Sequence, residues 1–407
     1  MNAMTLPSLE HLAKTWHAAL DAELEGARAF RRFIHANPEV SGDELATREH
    51  VAERLELPLA PVADTGGFAR IGPDSGPSIA LRAELDALPV TERTGVEWAA
   101  DNGAMHACGH DVHMAALTAV LRAARTLDLP FGLVGLFQPR EETYPSGAQD
   151  MCAAGTLERD DVRHVIGAHV HPSVARGAVS TGAGAVNAAS SELRITVRGQ
   201  GGHGAYPHQG NDVAHAVAQL VVGLAEVVRR TTNPMQPALI SVGSISVGEG
   251  AANVLPAEGS LAAMVRSMGD GDDARLEAAV RRYVEHTAES FGVTAEVTWS
   301  HGEPVLSNAP ELVAMLDARL PSVGLEIAPT MRSLGADDFS FFGQQVPSVM
   351  CFVGVDSVSE HPAHSLHDPH FLPDEEAVDR VARTLVCGYL AAAERLAGDD
   401  GRGVNLS

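Results

Sequence analysis

The chain has 407 residues and 45% of them are hydrophobic, enough for two or three domains with a sizeable core and too many for a disordered tail. Lys and Arg total 29 against 53 Asp and Glu, a formal net charge of −24. A surface that acidic repels phosphate backbones and anionic bilayers, so neither nucleic acid nor membrane is an expected partner.

The opening segment, MNAMTLPSLEHLAKTW, has no basic stretch leading into an apolar core, so no signal peptide is expected. No apolar run approaches the roughly 20 residues that span a bilayer. The cysteines, Cys108, Cys152, Cys351 and Cys387, are few and scattered. That argues against a disulfide framework and fits a reducing cytoplasm.

In chain order, residues 8–36 read as a helix stopped by Asn37-Pro38. Ser41 to Glu44, SGDE, reads as a capping box for a second helix. SIALRAELDALP reads as a buried strand running into a loop. Residues 110–127 read as a helix, FGLVGLF as a short apolar strand, and HVIGAHVH as a strand ending in histidines. Strands alternating with helices predict a mostly parallel α/β sheet, whose sites gather at the carboxyl ends of strands.

The middle of the chain has another character. SELRITVRG alternates like a half-exposed strand, and NDVAHAVAQLVVGLAEVVRR is helical. ALISVGSISVG and GSLAAMVRSM read as strands, GDDARLEAAVRRYVEHTAESFG as a helix and VTAEVTWS as a strand. The order β-α-β-β-α-β predicts a ferredoxin-like unit at residues 186–300. It is inserted between residues 1–185 and 301–407 of the α/β domain. The latter ends in a long helix predicted over residues 374–397.

The chemistry-bearing residues lie in clusters that follow strands. MHACGHDVHMAAL places Cys108 and His110 two residues apart before a helix. In extended chain, residues i and i+2 point the same way, so one loop can aim a thiolate and an imidazole at one point. A small buried Cys beside surface histidines is the bland alternative for that pair alone. FQPREETYPSG holds Glu141 and Glu142 directly after a strand. Adjacent residues point in opposite directions, so one carboxylate can ligate a metal while the other faces its water. GAHVHP supplies His169 and His171, and HSLHDPHF supplies His364, His367 and His370. A catalytic Cys108 served by His110 would leave the glutamates without a role. A structural zinc site would be richer in Cys. Open coordination beside an acidic base points to hydrolysis.

With these residues in hand, the chain resembles the aminoacylase and carboxypeptidase family of two-metal hydrolases. It is most similar to the amidohydrolase subfamily of hippurate hydrolases, N-acyl-amino-acid amidohydrolases and auxin-conjugate hydrolases. The resemblance rests on LRAELDALPV, MHACGHDVHMAAL, FQPREE, GAHVHP, GQGGHGAYPH, ANVLP, LGADDFSFF and LHDPHF, in this order over nearly the whole chain. It implies an α/β fold: a mixed-sheet, two-metal exopeptidase-like catalytic domain carrying an inserted ferredoxin-like lid and dimerisation domain.

The resemblance also assigns roles. Cys108, His110, Glu142, His169 and His367 would hold two divalent ions, and Glu141 would be the general base. Asp86 would orient a ligand. His203 matches a lid histidine that reaches a partner subunit's site, and Asn253 and Arg266 match lid positions that meet a substrate carboxylate. A single thiolate among N and O donors suits Zn²⁺, while carboxylates and imidazoles also admit Mn²⁺, Co²⁺ or Ni²⁺. Asp111 is expected to accept from a ligand or to cap the helix it begins, and His106 and His113 to be supports.

Departures from the common pattern are Glu84, TYPSG after the Glu pair, Asp337 before Asp338-Phe339, and the additional His171. The implied activity is hydrolysis of N-acyl-L-amino acids by a cytoplasmic homodimer or tetramer. A metallodipeptidase using the same site, with Asp337 meeting the substrate amine, is one alternative. A non-catalytic metal-binding protein is another, and Glu141 argues against it.

Overall fold

A computed structural model describes residues 8–359 and 365–399. They fall into two compact units: one built from residues 8–184, 307–331 and the described part of 338–399, the other from residues 185–306 and 332–337. No helix among the described residues is long and apolar enough to cross a membrane.

The first unit is organised by an eight-stranded sheet. Its order is Ala60–Val62, Gly66–Ile71, Gly132–Gln138, Ser78–Glu84, Val162–His171, Ser348–Gly354, Ala178–Ser180 and Glu326–Ile327. The four central strands, Gly132–Gln138 to Ser348–Gly354, run parallel. Gly66–Ile71 and Ala178–Ser180 pair antiparallel at their flanks, which makes the sheet mixed rather than mostly parallel. Ser78–Glu84 and Gly132–Gln138 are buried along their whole length, as parallel strands covered on both faces must be.

The helices covering the sheet follow from their spacing. Leu9–Ala36 buries Leu9, Leu12, Trp16, Leu20, Leu24, Ala27 and Ile34, one stripe at helical period. Its N-terminal cap is Ser8, whose side chain accepts the His11 N–H at 3.3 Å. Helix His110–Ala124 is almost wholly buried and packs against it. The closing helix starts at Ala377 rather than at residue 374, and ahead of it the Asp374 carboxylate accepts from Arg380 at 2.6 Å.

The second unit has strands Ala189–Arg198, Ala238–Val247, Glu258–Ser267 and Thr294–His301 with helices Val213–Thr231 and Asp272–Phe291. Its sheet is antiparallel, in the order Ala238–Val247, Glu258–Ser267, Ala189–Arg198, Thr294–His301. With the helix after the first and third strands, this is the ferredoxin-like connection. Leu193, Ile195, Val197, Leu220, Leu261 and Val280 form its core.

The predicted capping box at Ser41–Glu44 does not form. Helix Leu45–Leu55 has no side-chain cap from it, because both side chains are engaged elsewhere.

Candidate metal centre and active site

Three neighbouring parallel strands end at one place. Ser78–Glu84 leads to Asp86, Gly132–Gln138 to Glu141 and Glu142, and Val162–His171 carries His169. This is the carboxyl edge, where α/β sheets leave room for a site. The N-terminus of helix His110–Ala124 brings Cys108 and His110 to the same edge. The turn before it needs Gly109, at φ 88°, where an added Cβ would lie 2.4 Å from Val170 Cγ2.

The donor atoms converge. One ligand atom each from Cys108, His110 and Glu142 can be chosen within 4.8 Å of one another, and likewise from Glu84, His110, His113 and His169. Cys108 Sγ is 3.4 Å from His169 Nε2, and His367 Nε2 is 3.1 Å from Glu142 Oε1. His110 Nε2 lies 3.8 Å from Glu141 Oε2. His367 sits at φ 65°, the left-handed region that His enters more readily than most side chains, with its N–H donating to Ala107 O at 2.9 Å. The loop carrying it is thereby tied to the loop carrying Cys108. His364 lies outside the described residues.

Backbone contacts decide which imidazoles can ligate. His110 Nδ1 faces Asp86 O at 2.8 Å and His169 Nδ1 faces Val170 O at 2.7 Å. Each can donate its Nδ1 proton there, which turns an Nε2 lone pair toward the cluster. His113 has no such lone pair to offer. Its Nδ1 is 2.9 Å from Glu84 Oε2, and its Nε2 accepts the Val170 N–H at 2.9 Å. The His106 ring is fully buried, makes no hydrogen bond to the described residues and is held neutral by burial, with its pKa lowered to about 3. Both are supports. His171 accepts the Ser173 N–H and packs edge-on to Phe352.

The electrostatics ask for cations. Burial would lower the pKa of His110, but Glu84, Asp86 and Glu142 outweigh it and raise it to about 10. Burial and then Glu142, Glu141 and Glu84 push the Cys108 thiol well up. Negative charge is therefore concentrated around buried imidazoles. His110 Nε2 is a buried polar atom with no hydrogen-bond partner among the described residues. This donor set fits divalent ions, which would give His110 Nε2 a partner. Glu84 meets the buried Arg82 and His113, and Arg82 also donates to Gln138 and Asp338, so Glu84 belongs to a structural ion network.

Asp111 corrects an expectation. It neither caps its helix nor accepts from a ligand. Its Oδ2 accepts from Arg31 Nε at 2.9 Å and faces His35 Nδ1 at 3.0 Å. Arg31 also donates to Pro373 O and Asp374 O, so it clamps three segments behind the centre. The signal for this was present: Arg31 and His35, four apart, interrupt the apolar face of their helix. Burial alone would lower the pKa of His35, but Asp111 and Glu92 outweigh it and raise it to about 9. A pKa above the unfolded 6.5 stabilises fully below 6.5 and is lost as pH rises through 9. The urea midpoint should therefore fall between those values in the wild type, and His35→Gln should flatten that fall. An equally steep fall in the variant would show that His35 is not its source.

In the second unit, His203 and Asn253 come together. His203 sits on a two-residue ribbon paired with Val254–Leu255, and Gly204 N–H donates to Asn253 O at 2.8 Å. His203 Nδ1 accepts the Ala205 N–H, which leaves Nε2 as a donor. Both residues line a groove with Ser246–Ser260. Arg266 does not line it. It lies near the far end of strand Glu258–Ser267, opposite Ser190 and Leu239, with Nη1 buried and without a hydrogen bond to the described residues. Asp337 is buried in the same unit.

Comparison with known proteins agrees with this geometry. The model described as "Peptidase family M20/M25/M40" matches residues 80–388. N-acetyl-L-cysteine deacetylase of Bacillus subtilis is 33% identical over 376 residues, 90% of this chain and 88% of that protein. A Rhodococcus jostii protein that bears the name of a glutamate–cysteine ligase is 35% identical over 91% of this chain, which spans about half of it, 47%. A Bacillus subtilis structure described as a dinuclear metal-binding peptidase of the M20 family superposes with a TM-score of 0.77 at 25% identity, over 94% of this chain and 99% of that one. The convergent Cys, His and Glu donors at the sheet edge and a family match across most of the sequence lead to one conclusion: this chain belongs to peptidase family M20/M25/M40 and is a metal-dependent hydrolase.

Proposed function

We propose that the chain hydrolyses the amide bond of N-acyl-L-amino acids, giving a carboxylic acid and a free amino acid. The observation that carries this is the adjacent Glu pair: Glu142 faces His367 and groups with Cys108 and His110, and Glu141 Oε2 also stands 3.8 Å from His110 Nε2. Cys108, His110, Glu142, His169 and His367 would hold two divalent ions, Zn²⁺ or Mn²⁺ first and Co²⁺ or Ni²⁺ as substitutes. When bound, two such ions would lower the pKa of a water and polarise a carbonyl. Asp86 orients His110 from behind, with Oδ1 3.3 Å from His110 Nδ1. Glu141 takes the proton from the attacking water and hands it to the leaving amine. His203 donates to the carbonyl oxygen as it gains charge, a contact typically worth about 3–4 kcal/mol.

Residues 185–306 serve as lid and dimerisation unit in this reading. From Ser260, where the groove with His203 and Asn253 ends, to Arg266 is six residues of antiparallel strand, about 20 Å. One small substrate does not bridge that span, which supports a site completed by two copies of the chain. Arg266 and Asn253 then receive the substrate carboxylate, for which a guanidinium fork is suited. The name of the Bacillus subtilis deacetylase, an N-acyl amino acid as substrate, supports the same class. A cytoplasmic site of action fits the sparse cysteines.

Arg266→Ala should lower kcat/KM for N-benzoylglycine by about 1.5–3 kcal/mol, the scale of a hydrogen bond to a charged group. It should barely change N-benzoylglycinamide, which lacks that charge. Equal losses on both substrates would show that Arg266 does not read the carboxylate. A wild-type preference for the amide would overturn the substrate class.

A further inference from the structure

Ser41-Gly42-Asp43-Glu44 has the spacing of a capping box, yet the cap belongs to another residue. Glu39 Oε2 accepts both the N–H of Thr47, at 2.7 Å, and its hydroxyl, at 2.9 Å, in the first turn of helix Leu45–Leu55. Ser41 and Glu44 face the carboxyl edge of the sheet instead. Ser41 Oγ donates to Asp86 Oδ2 at 2.7 Å, and the same oxygen accepts the N–H of Glu142 at 2.9 Å. Glu44 is fully buried. Its Oε1 accepts the N–H of Arg140 at 2.8 Å, and its Oε2 accepts the Thr65 hydroxyl at 2.5 Å.

The amides on both sides of Glu141 therefore end on carboxylates. Arg140 sits at φ 48°, a left-handed conformation that is costly for a residue with a side chain. Such a conformation persists only when its surroundings hold it. Glu44 holds it at the N–H, and the guanidinium holds it by donating to Pro145 O at 3.1 Å and Ala63 O at 3.2 Å. A different φ at Arg140 would redirect the chain that carries Glu141 and Glu142. The left-handed turn at Arg140 leads directly into the two glutamates, and both lie at the centre.

We propose that Ser41 and Glu44 are positioning residues for hydrolysis, fixing through Asp86, Arg140 and Glu142 the turn on which Glu141 stands. The kinetic half of this rests on the amide-hydrolase reading above, and the backbone half does not. Small misplacements of a reacting group cost rate steeply, up to about 100-fold for 1 Å.

The test uses the full-length, metal-loaded protein and the variants Glu44→Ala, Glu44→Gln and Ser41→Ala. Hydrogen exchange by mass spectrometry reads the amides of Arg140 and Glu142, and turnover of N-benzoylglycine gives kcat and KM. Glu44→Ala should exchange at Arg140 about 10-fold faster or more and lose about 10-fold or more in kcat, with KM within about twofold. Glu44→Gln keeps an amide oxygen for the Arg140 N–H and should retain most of both. If Glu44→Ala does not fold, Ser41→Ala decides, with faster exchange at Glu142 and a lower kcat expected. Unchanged exchange at these amides overturns the proposal. Faster exchange with wild-type kcat overturns it too, since the turn would then not matter to the reaction. A wild type that turns over no acyl amino acid would sink the hydrolysis reading alone, and the exchange rates would still decide whether Glu44 and Ser41 hold the turn.

Discussion

Glu141→Gln lowers kcat by about 10²–10⁴-fold, the usual contribution of a placed proton-transfer group, while metal content and KM stay close to wild type. The side chain is 12% exposed and lies beside His110, and in the proposed mechanism its neighbour Glu142 is the ligand. Gln has the same shape and cannot accept the proton. Glu142→Gln should behave differently: it removes a charge facing His367 at 3.1 Å and should lose bound metal. Metal content by atomic emission, measured with the kinetics, separates the two roles. A Glu141→Gln enzyme with wild-type kcat would remove Glu141 from the mechanism.

Mixing two inactive variants restores activity. In the proposed mechanism, His203→Ala removes the oxyanion donor and Glu141→Ala removes the base. If the lid histidine of one copy completes the site of another, each heterodimer has one site with both residues intact. Random exchange gives half heterodimers, each with one of two sites working, so recovery should approach about a quarter of wild-type activity. The span between the His203 groove and Arg266 on one strand is the structural reason for expecting two copies at one substrate. Full activity from a species that sediments as a monomer, or no recovery after exchange is demonstrated, would end this account.

Much of the site could be read from the sequence because its residues are local. Cys108 and His110 share one loop, and Glu141 and Glu142 share one turn. His169 ends a strand whose apolar run is plain. The parts that could not be read depend on contacts between distant segments. Asp111 looked like a cap because Asp at a helix start often is one, but Arg31 and His35 lie 80 and 76 positions away and claim the carboxylate. SGDE satisfied the capping-box spacing, and only the packing of residues 39–44 along Ala87 turns Ser41 and Glu44 toward Asp86 and Arg140. The parallel centre of the sheet followed from alternating elements. Its antiparallel flanks depend on short strands such as Ala178–Ser180, too brief to show a period.

The most direct test of the central claim is release of free amine by the metal-stripped chain, before and after adding Zn²⁺ or Mn²⁺, from N-acetyl and N-benzoyl amino acids and from Gly-Gly-type dipeptides. The account predicts no release without metal, release from the acyl amino acids once metal is restored, and little from the dipeptides. Metal-restored cleavage of dipeptides with the acyl amino acids left intact would contradict it, and would make the centre that of a dipeptidase.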